Sequence, residues 1–417
     1  MSRRGPFLSL AAAETLSISG TRLSTIAIPW LVLSTTGSPV LTGLVVMMEM
    51  LPYVVAKGLG GPLIDRVGPK RIAVSCDLAS VAVVGLVPLL NWLGPLGIPV
   101  LLPIVFAMGV LRGPSDAAKQ AMVPDISELA AVPLERVTGV VGAIERLAST
   151  AGAAGAGALI ALIGPGQALV VNAVTFAAAA LIVGVGIPGH ALQPGLHSIP
   201  APEVRPGGMA AYIGELGEGW RFLRGDAVLV SIVIMVATTN LFDQAFGAVL
   251  LPVWTQHSGH GPELLGAMLA TFTGASIIGA AIAATIGERM PRLMVYTVAF
   301  LLTGCPRFLI FAVDAPLALI FATLAIAGFA SGFLNPILSA VIFERIPKPL
   351  IGRVTAMNAA LCFALIPFGG LVGGALISTM GLPPALLLTG LAYLAATLFP
   401  LALKSFRGFD KRIASAS

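Results

Sequence analysis

Ionisable residues inside long apolar runs are where this sequence could do chemistry. A charge at the centre of a bilayer costs about 2.5–3.5 kcal/mol on insertion scales, so such a residue faces a partner or a water-filled cavity. Glu14 and Arg22 share the first run, and Glu49 stands in the second, one helical turn before Tyr53. Arg112 and Asp116 are spaced i,i+4, which puts them on one face of a helix. Glu145-Arg146, Asn240, Asp243 and Arg307 lie in later runs, and Asp77 sits about a turn into its own, near enough to the surface for hydration. Glu49 and Asp243, deep in apolar surroundings, suit carboxylates that cycle between protonated and ionised forms, because burial penalises the charge. A fixed structural ion pair accounts equally well for any one of these residues. Glu145-Arg146 and Arg112-Asp116 fit that plainer reading best, and Arg307 has no assignable role.

The elements that must position these groups are membrane helices. Of 417 residues 57% are hydrophobic and 10% charged, with a mean hydropathy of +0.96, against about 25% charged in soluble domains. A spanning helix takes roughly 20 apolar residues. Twelve such runs are present, at 8–34, 40–60, 72–92, 98–120, 137–162, 167–187, 227–253, 263–286, 293–312, 316–341, 353–378 and 383–403. With the N-terminus inside, eighteen Lys and Arg fall in cytoplasmic segments and none in the outside loops near 35–39, 93–97, 163–166, 254–262, 313–315 and 379–382. That asymmetry predicts two cytoplasmic termini. It also accounts for the net charge of +5 without nucleic acid as a partner. Met1-Ser2-Arg3-Arg4 leads into the first run with no small-residue cleavage site, which predicts a retained helix. Cys76, Cys305 and Cys362 lack metal or disulfide spacing and read as packing residues. The polar stretch 188–226 separates two six-helix halves, 1–187 and 227–417. Pro188 to Gly208 reads as a linker, and Tyr212 to Arg224 as an amphipathic helix on the cytoplasmic membrane surface.

Between the second and third runs stands Gly61-Pro62-Leu63-Ile64-Asp65-Arg66-Val67-Gly68-Pro69-Lys70-Arg71. It resembles the signature loop of the major facilitator superfamily, with nearly every consensus position filled. The later halves echo this: Gly287-Glu288-Arg289-Met290-Pro291-Arg292 is a degraded copy, and Gly152-x-x-Gly155-x-Gly157 is matched by Gly369-Gly370-x-x-Gly373-Gly374. The resemblance implies an all-α integral membrane fold of twelve helices in two pseudo-symmetric halves, rocking about a mid-membrane site. It implies a tight turn pinned by Gly61 and Gly68, with Asp65 meeting the start of helix eleven near Gly352-Arg353. Arg66, Lys70 and Arg71 then hold that cytoplasmic gate. Helices one, four, seven and ten line the cavity in this family, which nominates Glu14, Arg22, Asn240 and Asn335 for substrate. Arg112 matches the fourth-helix arginine of proton-coupled members, and with Asp116, Glu49 and Asp243 it is a candidate for proton coupling. The antiporter motif of drug exporters has Gly-Pro in helix five, and no proline stands at 150–157 here.

The closest texture within the superfamily is that of twelve-helix exporters of macrolides, siderophores and other amphiphiles, carried by residues 27–38, Val123-Pro124-Asp125, Asn172 to Phe176 and Glu218 to Leu223. The expectation is therefore a monomeric bacterial inner-membrane exporter of a hydrophobic or amphiphilic compound. Its partners are a small-molecule substrate and membrane lipid, and it takes no cofactor, with the proton gradient as its energy source. Import of a polar solute, movement of lysophospholipid, and a membrane sensor without flux are the rival readings. His257 and His260 lack the company a metal site needs, and neither a phosphate-binding loop nor a nucleophile elbow is present.

Overall fold

The computed structural model is all-helical and describes residues 4–94, 96–188, 208–286, 290–347 and 350–403. Its helices are α1 (Gly5–Thr36), α2 (Pro39–Leu59), α3 (Gly61–Val67), α4 (Pro69–Leu93), α5 (Ile98–Ala121), α6 (Val123–Ala130), α7 (Leu134–Ile163), α8 (Pro165–Gly186), α9 (Gly208–Gly225) and α10 (Ala227–Ala245). After a π turn at Phe246–Leu250 come α11 (Leu251–His257), α12 (Pro262–Ile286), α13 (Arg292–Thr303), α14 (Cys305–Ala312), α15 (Leu317–Arg345), α16 (Ile351–Phe363), α17 (Ile366–Met380) and α18 (Leu382–Ala402). Among the described residues twelve helical stretches are long and apolar enough to cross a membrane. They coincide with the twelve runs read from sequence to within a few residues, except that the fourth continues to Ala130.

A proline accompanies three of the interruptions in these spans. Pro252 has no N–H to give the carbonyl four residues back, and its ring crowds that carbonyl. The chain widens into the π turn just before it. Pro306 follows the break between α13 and α14 at Gly304, and Pro367 follows the break between α16 and α17. Helix starts are set as the sequence dictates. The Ser38 side chain accepts from the Leu41 N–H ahead of Pro39, and Asp226 accepts from Val228 and Leu229 at the start of α10.

The described residues fall into two compact units. The first comprises Met1–Ile199, Gly247–Ala270 and Gly370–Ala375; the second comprises Pro200–Phe246, Thr271–Gly369 and Leu376–Ser417. Within the first, Leu10, Ile64, Ile72, Met122, Ile126 and Val183 share one buried cluster. Within the second, Leu223 of α9 is buried with Leu229, Ile346 and Val354. The predicted amphipathic helix thus uses Leu223 to pack on its own unit, and Trp220 on it is exposed.

The predicted tight turn at 61–71 is a correction. Gly61–Val67 is a short helix, started by Pro62 in its first turn and anchored by Ile64, which is buried. The reversal falls on Gly68 alone, whose φ of 95° is a conformation that glycine adopts without strain. Gly61 is helical and makes no tight approach. Lys70 donates from Nζ to the carbonyls of Gly184 (2.8 Å) and Ile187 (2.5 Å), closing the C-terminal end of α8. Arg66 and Arg71 are exposed. The side chains of Asp65 and Arg353, most of the predicted linker, residues 287–289 of the degraded repeat and the basic tail from 404 lie outside the described residues.

Candidate functional site

Besides the Arg292–Glu344 and Arg345–Asp226 pairs at helix ends, three charged clusters lie in the membrane-length helices among the described residues. The first lines a cavity of about 140 Å³ in the first unit, walled by α1, α2, α5 and α7. Gly109 of α5 lets that helix approach α2 so closely that a Cβ there would strike the Glu49 carbonyl and the Pro52 ring. The approach brings Arg112 within 3.3 Å of Glu49, with Asp116 at 3.8 Å on its other side. The Arg112 guanidinium also lies over the Tyr53 ring, 4.6 Å from its centre. Tyr53 donates its hydroxyl proton to Asp116 (3.2 Å) and accepts from Lys57 (3.3 Å). Arg112 and Asp116, read as a plain pair, are therefore part of a five-residue network with Glu49, Tyr53 and Lys57.

Glu14 and Arg22 face the same cavity, as the sequence reading places them. Glu14 is 8% exposed, and Arg22 donates from Nε to Ser149 at 3.2 Å. Glu145 of α7 lines the same space. Gly152 explains how α7 comes so near: a Cβ on it would press on Arg22, whereas one on Gly155 would meet open space.

The second cluster corrects the reading of Asp77. Far from hydrated, it is 1% exposed, and its partner Lys119 is fully buried at 2.9 Å. Lys119 also donates to Ser17 (2.8 Å), and Ser115 donates to Asp77 (2.6 Å). The two helical partners, α4 and α5, bring complementary charges together away from the surface. Sequence reasoning passed over Lys119, as it did Lys57. Each stands near the cytoplasmic end of an apolar run, where a lysine is expected to reach water. The signal that could have found Lys119 is its i,i+4 spacing from Ser115 and its depth matching Asp77.

The third cluster, in the second unit, corrects the picture of Asp243 as a lone carboxylate. It pairs with Arg307, and its side chain is 40% exposed against 5% for the arginine. Phe246, Phe272, Phe308 and Tyr393 surround the guanidinium at 5.0–5.6 Å from its carbon to their ring centres. Arg307 is thus the countercharge of Asp243, held among four aromatic faces. The other two nominees are not drawn into a shared site. Asn240 donates to the Cys362 carbonyl (2.9 Å) in the last turn of α16, where carbonyls lack helical partners, and Asn335 is exposed.

Twelve membrane-length helices carrying internally paired charges define a multi-pass membrane transporter fold. The chain matches the transmembrane secretion effector family over residues 2–414 and belongs to that family of the major facilitator superfamily. Over 98% of its length it is 30% identical to the multidrug efflux pump Tap of Mycobacterium bovis, of which 96% is covered. Macrolide efflux protein A of Streptococcus pyogenes is 21% identical, over 92% of each chain. Among solved structures, the nucleoside transporter NupG superposes with a TM-score of 0.70 at 13% identity, over 97% of this chain and 99% of that one. A bacterial homologue of the lysosomal transporter Spinster gives 0.69 at 14% identity, over 98% and 97%. At such identities the superpositions establish the fold.

Proposed function

We propose that this protein exports hydrophobic or amphiphilic small molecules across a bacterial inner membrane in exchange for protons, by alternating access, with both termini in the cytoplasm. It acts as a transporter and not as an enzyme, works as a monomer and needs no cofactor. The observation that carries the export reading is the end-to-end likeness to a protein named as a multidrug efflux pump, 30% identical over 98% of the chain.

The coupling reading rests on the Glu49–Arg112–Asp116 cluster. An arginine stays charged at any physiological pH, so only the carboxylates can carry the proton. Glu49 is 4% exposed at its side chain and Asp116 27%. Protonating Glu49 removes one of the two anions that hold Arg112 and leaves the guanidinium to Asp116 and the Tyr53 ring. That shift gives Arg112 two arrangements, one for each protonation state, beside the cavity.

The test uses everted membrane vesicles with an established proton gradient, a pH-sensitive dye, and a panel of macrolides and lipophilic amphiphiles. Substrate-dependent collapse of the gradient in the native protein, lost in Glu49→Gln, is the expected result. Collapse that survives Glu49→Gln and is lost in Asp243→Asn moves the coupling to the second unit. Absence of collapse with every compound rejects proton-coupled export.

A further inference from the structure

The cavity of the first unit is charge-balanced in a way that names a ligand. Three cations line it (Arg22, Lys57 and Arg112), and so do three carboxylates (Glu14, Asp116 and Glu145). Arg112 and Asp116 are already partnered. Among the described residues Arg22 bonds the Ser149 hydroxyl and Lys57 has the hydroxyl and ring face of Tyr53, and neither has a carboxylate within ion-pair reach. Glu14 is more than nine-tenths buried and lines the cavity with no hydrogen-bond or ion-pair partner among the described residues. A buried carboxylate with no partner is costly, and a half-buried cation without a carboxylate carries a smaller cost of the same kind. Both costs fall at opposite ends of one small space, because eight residues of helix separate Glu14 from Arg22 by about 12 Å.

Resting on the export reading above, we propose that this cavity binds the compact zwitterionic head of an amphiphilic substrate. The head's cationic centre takes Glu14 and its anionic centre takes Arg22 and Lys57. A purely cationic head gains Glu14 but is repelled at Arg22 and Lys57; a purely anionic head meets the reverse. A zwitterion satisfies both ends and leaves the cavity neutral. Size points the same way. The space of about 140 Å³ falls well short of the roughly 300–1,000 Å³ that holds a drug-sized molecule. The space takes a head of a few heavy atoms while the apolar body lies outside it. Specificity then comes from leaving a buried charge unanswered when the wrong head enters.

Three naphthylmethyl probes with one apolar body test this: a carboxymethyl-dimethylammonium betaine, its permanently cationic methyl ester, and the anionic naphthylmethoxyacetate. Binding is measured by equilibrium dialysis against the full-length protein in lipid nanodiscs, with empty nanodiscs subtracted. The expected order is the betaine at least tenfold tighter than either singly charged probe. In Glu14→Gln the betaine weakens about tenfold and the anion overtakes the cation; in Arg22→Gln the cation overtakes the anion. If the ester binds the native protein as tightly as the betaine, if no probe binds, or if neither variant changes the order, the proposal is wrong. Should one variant fail to fold, as judged by size exclusion, the other alone decides the matter through its own reversal. Accumulation in energised everted vesicles is read separately. Betaine that binds and is not accumulated sinks the export reading and keeps the site. Accumulation that ignores head charge does the opposite.

Discussion

At the scale of single residues, the consequences of the buried pairs can be stated with their sign. Taking the ammonium from Lys119 leaves Asp77 buried without its partner, and removing one partner of a buried pair costs about 3–5 kcal/mol. Lys119→Met should therefore lower the thermal unfolding midpoint of the purified protein sharply. The double change Lys119→Met with Asp77→Leu should recover most of the loss, since replacing both partners is near neutral. A single variant as stable as the native protein would show that the pair carries little weight. The Asp243–Arg307 pair should behave differently. Arg307→Met is expected to cost more stability than Asp243→Asn, because the four aromatic rings keep some hold on the guanidinium after the carboxylate is neutralised. Thermal unfolding of the two variants side by side would decide it, and an equal loss would mean that the rings contribute nothing. At this scale the sequence showed which charges were out of place but not whom they meet. Glu14, Glu49, Arg22 and Arg112 were legible because a charge in an apolar run is conspicuous. Lys119 was not, because a lysine near the end of a run has a cheap alternative in water. Nor was the Asp243–Arg307 pairing, which joins residues 64 positions apart.

At the scale of elements, the site depends on how closely helices approach. Gly109 lets α5 meet α2, so Gly109→Val should force the two apart. The expected cost is about 1–3 kcal/mol of overpacking strain, together with a longer Glu49–Arg112 separation and a loss of gradient-driven transport. Gly155→Ala, whose added methyl meets open space, should change stability by no more than about 0.5 kcal/mol. Differential scanning fluorimetry on the two variants tests the contrast, and equal effects would refute it. Twelve spans could be read directly because mean hydropathy over about 20 residues reports burial in lipid. The breaks near Pro252, Pro306 and Pro367 were not legible in the same way, because Pro29, Pro52, Pro88, Pro103 and Pro114 stand inside helices that continue through them. The short helix Gly61–Val67 escaped notice because seven residues flanked by glycine and rich in charge carry turn signals. Its helical state is decided by Pro62 and by the burial of Ile64, which only the folded unit supplies.

At the scale of the whole molecule, the distribution of basic residues makes a topological prediction. A fluorescent protein fused after Ser417 should be bright and alkaline phosphatase fused there inactive, while the phosphatase inserted within 254–262 should be active. The reverse pattern would invert the orientation. The fully buried Lys119 has one more implication, for how this chain can change over evolutionary time. Glu14 and Glu145, which border the cavity and have no ion-pair partner among the described residues, can be exchanged one codon at a time, so drug preference can drift along a path of viable intermediates. Asp77 and Lys119 allow no such path to a neutral residue, since losing either charge first leaves the other in the interior without its partner. Lineages under antibiotic selection should therefore diversify at positions 14 and 145 while positions 77 and 119 stay locked together or change as a couple.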